Sequence, residues 1–132
     1  MDIVPERFRD LLSDEAKAFA VIATISKDNA PVMAPIWFLT EGEHLIFLTS
    51  ANSAKGKNIK VRPQVGLVIM QEGNHLRYIE VRGTVVETLE ATQEFRNKLW
   101  LKYTGKEKGE PPSPDSVLFK IKPEKVVVYD AS

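Results

Sequence analysis

Four cations fall within eight residues at Lys55, Lys57, Lys60 and Arg62, and from His44 to Gln71 the chain runs 28 residues without an aspartate or glutamate. The basic stretch Ser53-Ala54-Lys55-Gly56-Lys57-Asn58 follows a hydroxyl-rich turn, Thr49-Ser50-Ala51-Asn52, which itself follows the apolar run Leu45 to Leu48. That order predicts a strand, a turn and a short helix with Ser53 as its N-cap. Lys55 and Lys57 then lie in the first turn, where the helix dipole already presents positive charge. Cations there are unfavourable unless an anion joins them, and the free N–H groups of a helix start suit phosphate. The chemistry expected is the binding of a phosphorylated ligand. Ser53 caps the helix in any case. Thr49, Ser50 and Asn58 either add to the phosphate grip or satisfy turn backbone. Lys60 and Arg62 either extend the basic strip or simply complement the helix C-terminus.

Around this motif the pattern is mostly that of strands. Pro5 to Leu12 reads as a short amphipathic helix with Phe8, Leu11 and Leu12 on its apolar side. Ala18 to Ser26 and Pro31 to Thr40 read as strands around the turn Lys27-Asp28-Asn29-Ala30, and Glu41-Gly42-Glu43 turns the chain into a third, His44 to Thr49. Beyond Arg62-Pro63, Val65 to Met70 is a fourth strand, followed by a turn at Glu72-Gly73-Asn74. Leu76 to Leu89 alternates over so long a run that it predicts a bent strand, with Gly83 at the bend. Glu90 to Tyr103 carries Phe95, Leu99 and Tyr103 at helical spacing with Trp100 beside them, and Gly105 stops it. Lys106 to Pro114 reads as a surface loop, and Ser116 to Tyr129 as a last strand broken at Lys122-Pro123. Residues 1–132 are expected to form one domain, mainly β, an antiparallel barrel with a few peripheral helices.

Composition narrows the function classes. Eighteen basic residues balance 18 acidic ones, so no general field favours nucleic acid or membrane. There is no cysteine for disulfides or thiolate metal sites, which fits a reducing interior. No apolar run reaches the roughly 18 residues of a membrane span, and the first residues lack a signal pattern. A cytoplasmic protein is expected. His44 and His75 stand apart beside turns, without the company of a metal site or a triad, and are expected at the surface. Tyr78 is expected to pack across strands, and Trp100 and Tyr103 to pack the last helix against the barrel or a partner subunit.

Four consecutive pieces between Ala20 and Leu89 resemble the pyridoxamine-phosphate-oxidase-like flavin-binding split barrels. Val32-Met33-Ala34-Pro35-Ile36-Trp37-Phe38 resembles the strand that borders the flavin ring in that family. Leu48-Thr49-Ser50 resembles the strand end that touches ring and phosphate. Ser53-Ala54-Lys55-Gly56 is similar to the oxidase's Ser-Arg-Lys-Gly phosphate motif, with Ala54 in place of the arginine. Tyr78 to Val85 is similar to the family's long strand with its "-V-x-G-x-" core. The resemblance implies a split β-barrel, a homodimer with cofactor sites at the subunit interface, and a cofactor held by Pro35, Ile36, Trp37, Leu48, Thr49, Ser50, Ser53, Lys55, Lys57 and Asn58. The chain lacks the C-terminal arginine-and-histidine element with which true pyridoxamine phosphate oxidases hold their substrate, so vitamin B6 oxidation is not expected. Its Lys55-Gly56-Lys57-Asn58 form is closer to the small branch that uses the deazaflavin coenzyme F-420.

No nucleophile–base constellation stands out. In flavin chemistry the ring carries the hydride and the protein orients it and excludes water. The resemblance therefore implies an oxidoreductase passing hydride between FMN or coenzyme F-420 and a small unsaturated or quinone-like molecule. The basic strip at Lys60 and Arg62 favours coenzyme F-420, whose tail beyond the phosphodiester carries glutamate carboxylates; FMN ends at its phosphate. Two alternatives remain open: a non-catalytic carrier of flavin or of a haem-type tetrapyrrole, and an acid-poor surface that serves a protein partner.

Overall fold

A computed structural model describes all 132 residues. Seven strands form one antiparallel sheet: β1 (Phe19–Ile25), β2 (Pro31–Ile36), β3 (Phe38–Glu41), β4 (His44–Ser50), β5 (Gln64–Gln71), β6 (Asn74–Glu90) and β7 (Ser116–Asp130). A 3-10 helix spans Glu6–Leu12, α1 spans Ala54–Val61 and α2 spans Gln93–Thr104. The sheet order is β2-β1-β5-β6-β7-β4-β3. Its two edge strands, β2 and β3, are neighbours in sequence, joined by Trp37 alone. The mainly β split barrel expected from the sequence is the fold observed.

Period-two patterning builds it. On β1, Ala20, Ile22 and Thr24 are buried while Phe19 is exposed, as expected where alternate side chains face a core. Ile22, Leu45, Ile69, Ile79, Val81 and Ile121 meet inside the sheet with Phe38, Phe47 and Phe119, and the Phe47 and Phe119 rings lie 5.6 Å apart. Each such side chain contributes about 1.5–3 kcal/mol by leaving water. Phe8, Leu11 and Leu12 of the 3-10 helix join the same core. Arg77 of β6 fastens that helix, its guanidinium donating to Asp10 Oδ1 at 2.7 Å and to the Arg7 carbonyl at 2.7 Å. The hydrogen bond from Arg77 holds the Asp10 carboxyl below its ordinary range.

Two expectations are corrected. The single strand expected over Pro31 to Thr40 is two, because at Trp37 the chain crosses from one edge of the sheet to the other. The last strand is unbroken through Lys122-Pro123, since β6 and β7 shift register there: Arg82 lies opposite Lys125 and Gly83 opposite Pro123. A bulge leaves the proline without a ladder bond to donate. Gly83 is required at that point, because a Cβ would stand 2.5 Å from the Lys122 carbonyl oxygen. No helix is long and apolar enough to cross a membrane.

Candidate functional site

The turn between β4 and α1 is held from within and from afar. Ser53 Oγ accepts from the Gly56 N–H at 3.1 Å, capping α1, and donates to the Ser50 carbonyl at 2.7 Å. Thr49, buried at the end of β4, brings its hydroxyl to 3.3 Å from the same Ser53 oxygen. Asp115, just ahead of β7, accepts from the Ser50 hydroxyl, from Asn52 Nδ2 at 3.3 Å and from Ser113 Oγ at 2.6 Å. Those donors, Ser113 first, hold its carboxyl below the usual range. Gly56 lets the first turn of α1 lie directly on the Ser50–Ala51 backbone. Lys55 and Lys57 project from this turn, and neither has a carboxylate within 4.0 Å.

Beside the helix start opens a cavity of about 300 Å³. Pro35 and Ile36 at the end of β2, Trp37 just beyond it and Leu48 of β4 form an apolar wall; Lys55 stands at one margin, and Arg96, Leu99 and Trp100 of α2 complete the lining. Trp37 is fixed on two sides, stacked on Tyr103 at 4.8 Å between ring centroids and edge-on to Trp100 at 5.1 Å. Arg96 lies over the Trp100 ring at 4.6 Å, and its Nε is buried with no hydrogen-bond partner. Gly109 packs against both side chains, so close that a Cβ would meet Trp100 at 2.9 Å and Arg96 at 3.0 Å. Asn97 Oδ1 accepts from the Gly109 N–H at 3.0 Å and anchors the loop there. Lys55 and Arg96 on an apolar cavity, neither with a carboxylate within 4.0 Å, suit a flat ligand that carries an anion. No three histidine, aspartate or glutamate side chains come close enough to hold a metal.

Residues 4–129 match the sequence profile of the pyridoxamine 5'-phosphate oxidase family. The chain belongs to that family. Among solved structures it is similar to an F-420 reductase, 32% identical with a TM-score of 0.83, covering 94% of this chain and 98% of that one. It is also similar to General Stress Protein 26 from Bacillus anthracis, 25% identical with a TM-score of 0.71, covering 94% and 92% of the two chains. A third similar structure is a pyridoxamine 5'-phosphate oxidase-related, FMN binding protein from Nostoc punctiforme. It is 20% identical with a TM-score of 0.60, covering 91% of this chain and 76% of that one. No curated protein sequence is a significant match.

Within this member of the pyridoxamine 5'-phosphate oxidase family, the ten residues singled out from sequence divide into three groups. Pro35, Ile36, Trp37, Leu48 and Lys55 line the cavity together. Thr49, Ser50 and Ser53 form the turn beneath the helix start, and Lys57 is exposed on the same first turn of α1. Asn58 faces the other way: it is buried, and its Nδ2 donates to Thr24 Oγ1 on β1 at 3.1 Å. Lys60 is exposed, whereas Arg62 donates Nε to the Ile25 carbonyl at 2.8 Å and ties α1 to β1. His75 is exposed and His44 half-buried, and Tyr78 stacks across strands on Tyr129 at 5.2 Å. Sequence reasoning missed Arg96. Its signal was there, because Arg96, Leu99, Trp100 and Tyr103 recur at helical spacing on one face.

Proposed function

We propose that the protein is a flavin- or deazaflavin-dependent oxidoreductase that passes hydride between the cofactor ring and a small unsaturated or quinone-like molecule in the cytoplasm. One observation carries the reading. Lys55, on the capped first turn of α1, borders the same cavity as the apolar wall Pro35-Ile36-Trp37 and Leu48. That wall would hold a ring, and the helix N-terminus with Lys55 and Lys57, two cations that lack carboxylate partners, would hold its phosphate. The cofactor ring supplies the hydride chemistry. Lys55, Lys57 and the α1 backbone would hold the phosphate, Trp37 would support the ring, and Leu48, Leu99 and Trp100 would keep water out.

Coenzyme F-420 is the favoured cofactor and FMN its rival. The likeness to an F-420 reductase at 32% identity supports the deazaflavin. So does Lys60, which is exposed, has no carboxylate within 4.0 Å, and is free to meet the carboxylates of a glutamate tail. Arg62 contributes less, being engaged with Ile25. The site is proposed to complete itself in a homodimer. An apolar face carrying Phe19, 54% exposed, and Met33, 66% exposed, lies open on β1 and β2 and suits a second copy of the chain.

Parallel titrations with FMN and with coenzyme F-420 of short and long tails decide the cofactor. Tighter binding of the long-tailed form, more so at low salt, is expected. Tight FMN binding with indifference to the tail would overturn the deazaflavin. Mixing the pre-reduced complex with quinones and enoate acceptors decides turnover. Reoxidation is expected, and a bound cofactor that none of them reoxidises leaves a carrier.

A further inference from the structure

Helix α2 straps the seam of the sheet. Trp37 joins the two edge strands, and consecutive side chains of α2 hold both backbone polar groups of the residue after it. Lys102 Nζ donates to the Phe38 carbonyl at 2.9 Å, and the Tyr103 hydroxyl accepts from the Phe38 N–H at 3.3 Å. The same hydroxyl donates to the Ala18 carbonyl, just ahead of β1, at 3.4 Å, so it touches both sides of the seam. The Tyr103 ring lies nearly parallel to Trp37, with 6° between the planes. The Lys102 ammonium stands 3.9 Å from the centre of the Phe38 ring, on a side chain only 1% exposed. A buried ammonium is costly where an apolar side chain would fill the same space, so its interactions with Phe38 call for a role.

We propose that Lys102 and Tyr103 are positioning residues of the ring pocket: by gripping both backbone groups of Phe38 they set the pose of Trp37, the wall that would support a bound ring. The ligand part of this inference rests on the flavin reading of the pocket; the part concerning Trp37 stands without it. Burial pulls Lys102 down from 10.5 to about 8, opposed by Asp14, whose Oδ1 lies 4.0 Å from Nζ. Asp14 is itself held there by the Thr40 N–H at 2.9 Å. Asp14, Glu15 and Lys98 share with Lys102 a cavity of about 370 Å³. Tyr103 is pushed up to about 12 by burial and remains a donor throughout, and Glu41 of β3 is turned to Lys120 at 3.6 Å. As the pH rises through about 8, Lys102 therefore loses its charge. Its hydrogen bond to Phe38 changes from a charge-assisted one to a neutral one about half as strong.

The chain's two tryptophans, Trp37 and Trp100, both line the pocket, so intrinsic fluorescence reads its geometry. Without any ligand, the wild-type emission is expected to shift with a midpoint near pH 8. The shift should survive in Trp100→Phe, which assigns it to Trp37. Lys102→Arg, which stays charged, should hold the low-pH spectrum across the range, and Lys102→Met the high-pH spectrum. FMN affinity should fall about threefold between pH 7 and 9 in the wild type, half the free energy of a tenfold change, and stay level in Lys102→Arg. Unchanged wild-type emission from pH 7 to 9, or the same shift in Lys102→Met, would overturn the proposal. Should Lys102→Met not fold, Tyr103→Phe carries the test: emission identical to wild type at pH 7 would refute the positioning role. Failure of FMN and coenzyme F-420 to bind any of these proteins would refute the flavin reading, and the fluorescence would still decide this one.

Discussion

Replacing Gly56 by alanine tests the geometry of the helix start directly. The added Cβ would stand 2.9 Å from the Ala51 carbonyl oxygen and closer still to that of Ser50. Both are backbone atoms that no rotamer change can move aside. Alanine in place of glycine inside a helix gains about 1 kcal/mol. Overpacking of this kind costs about 1–3 kcal/mol, and two fixed carbonyls place this case at the upper end. The net loss is about 1–2 kcal/mol, and at this length each kcal/mol lowers Tm by about 4 °C. Relief requires α1 to lift from the turn, which stretches the Ser53 cap, 3.1 Å from its oxygen to Gly56 N, and moves the N–H groups meant for phosphate. Affinity for FMN or coenzyme F-420 should therefore fall more than tenfold, about 1.4 kcal/mol. Thermal unfolding by circular dichroism measures the first effect, and cofactor titration well below both melting temperatures measures the second. A variant as stable as wild type that binds as tightly would refute the argument that α1 must lie on the Ser50–Ala51 backbone.

Lys55→Ala should weaken cofactor binding about ten- to hundredfold, the loss of one charge-assisted hydrogen bond worth about 1.5–3 kcal/mol; equal titration curves for the two folded proteins would remove Lys55 from the phosphate site. Asn58→Ala should lower stability by about 1–3 kcal/mol, because Thr24 Oγ1 loses its buried partner. The same variant should leave cofactor affinity within a factor of about two once folding is allowed for, and a selective loss of binding in urea-matched samples would show that Asn58 reaches the ligand. Lys102 is lowered to about 8 in the folded state against 10.5 unfolded, so between those values the unfolded chain holds a proton that the native state has shed. Stability should rise with pH across that window, by at most about 3 kcal/mol, even as the local grip on Phe38 loosens; urea unfolding of wild type and Lys102→Met at pH 7 to 10 checks this, and parallel slopes would contradict it. Sedimentation at low micromolar concentration should show a species near twice 14.9 kDa, and Met33→Asp should shift it toward the monomer; a wild-type monomer that binds cofactor would contradict the shared site.

What could be read from the sequence was local. The cap at Ser53, the turns at Gly42 and Gly73 and the stop at Gly105 depend on neighbouring residues only, and each glycine has a positive φ. The order of strands along the chain followed for the same reason. Trp37 was different: nothing around Pro35-Ile36-Trp37-Phe38 marks a break, because closure of the whole sheet imposes it. Lys122-Pro123 misled in the opposite sense, since the bulge that accommodates Pro123 is made with Arg82 and Gly83 on another strand. Asn58 reads as part of the basic motif beside it, while its partner Thr24 is 34 positions away. Arg96 and Trp100 were legible as a helix face but not as pocket wall, because that depends on α2 packing against Trp37.

The strand order has a consequence for how the chain comes to be folded. β3 pairs only with β4, and β4 reaches the rest of the sheet only through β7, with Leu45 opposite Ile121. During synthesis the hairpins β1–β2 and β3–β4 emerge before β5, β6 and β7, yet they stand at opposite ends of the sheet order and do not pair with each other. The β3–β4 hairpin has to wait for residues 116–130, made well after it, with its strand edges unpaired. Closure over such sequence distances places folding in the millisecond-to-second range typical of non-local β topologies. A chain cut before Ser116 would keep the phosphate turn, the ring wall and α2 in its sequence, and would still lack the one strand that brings the two halves into register.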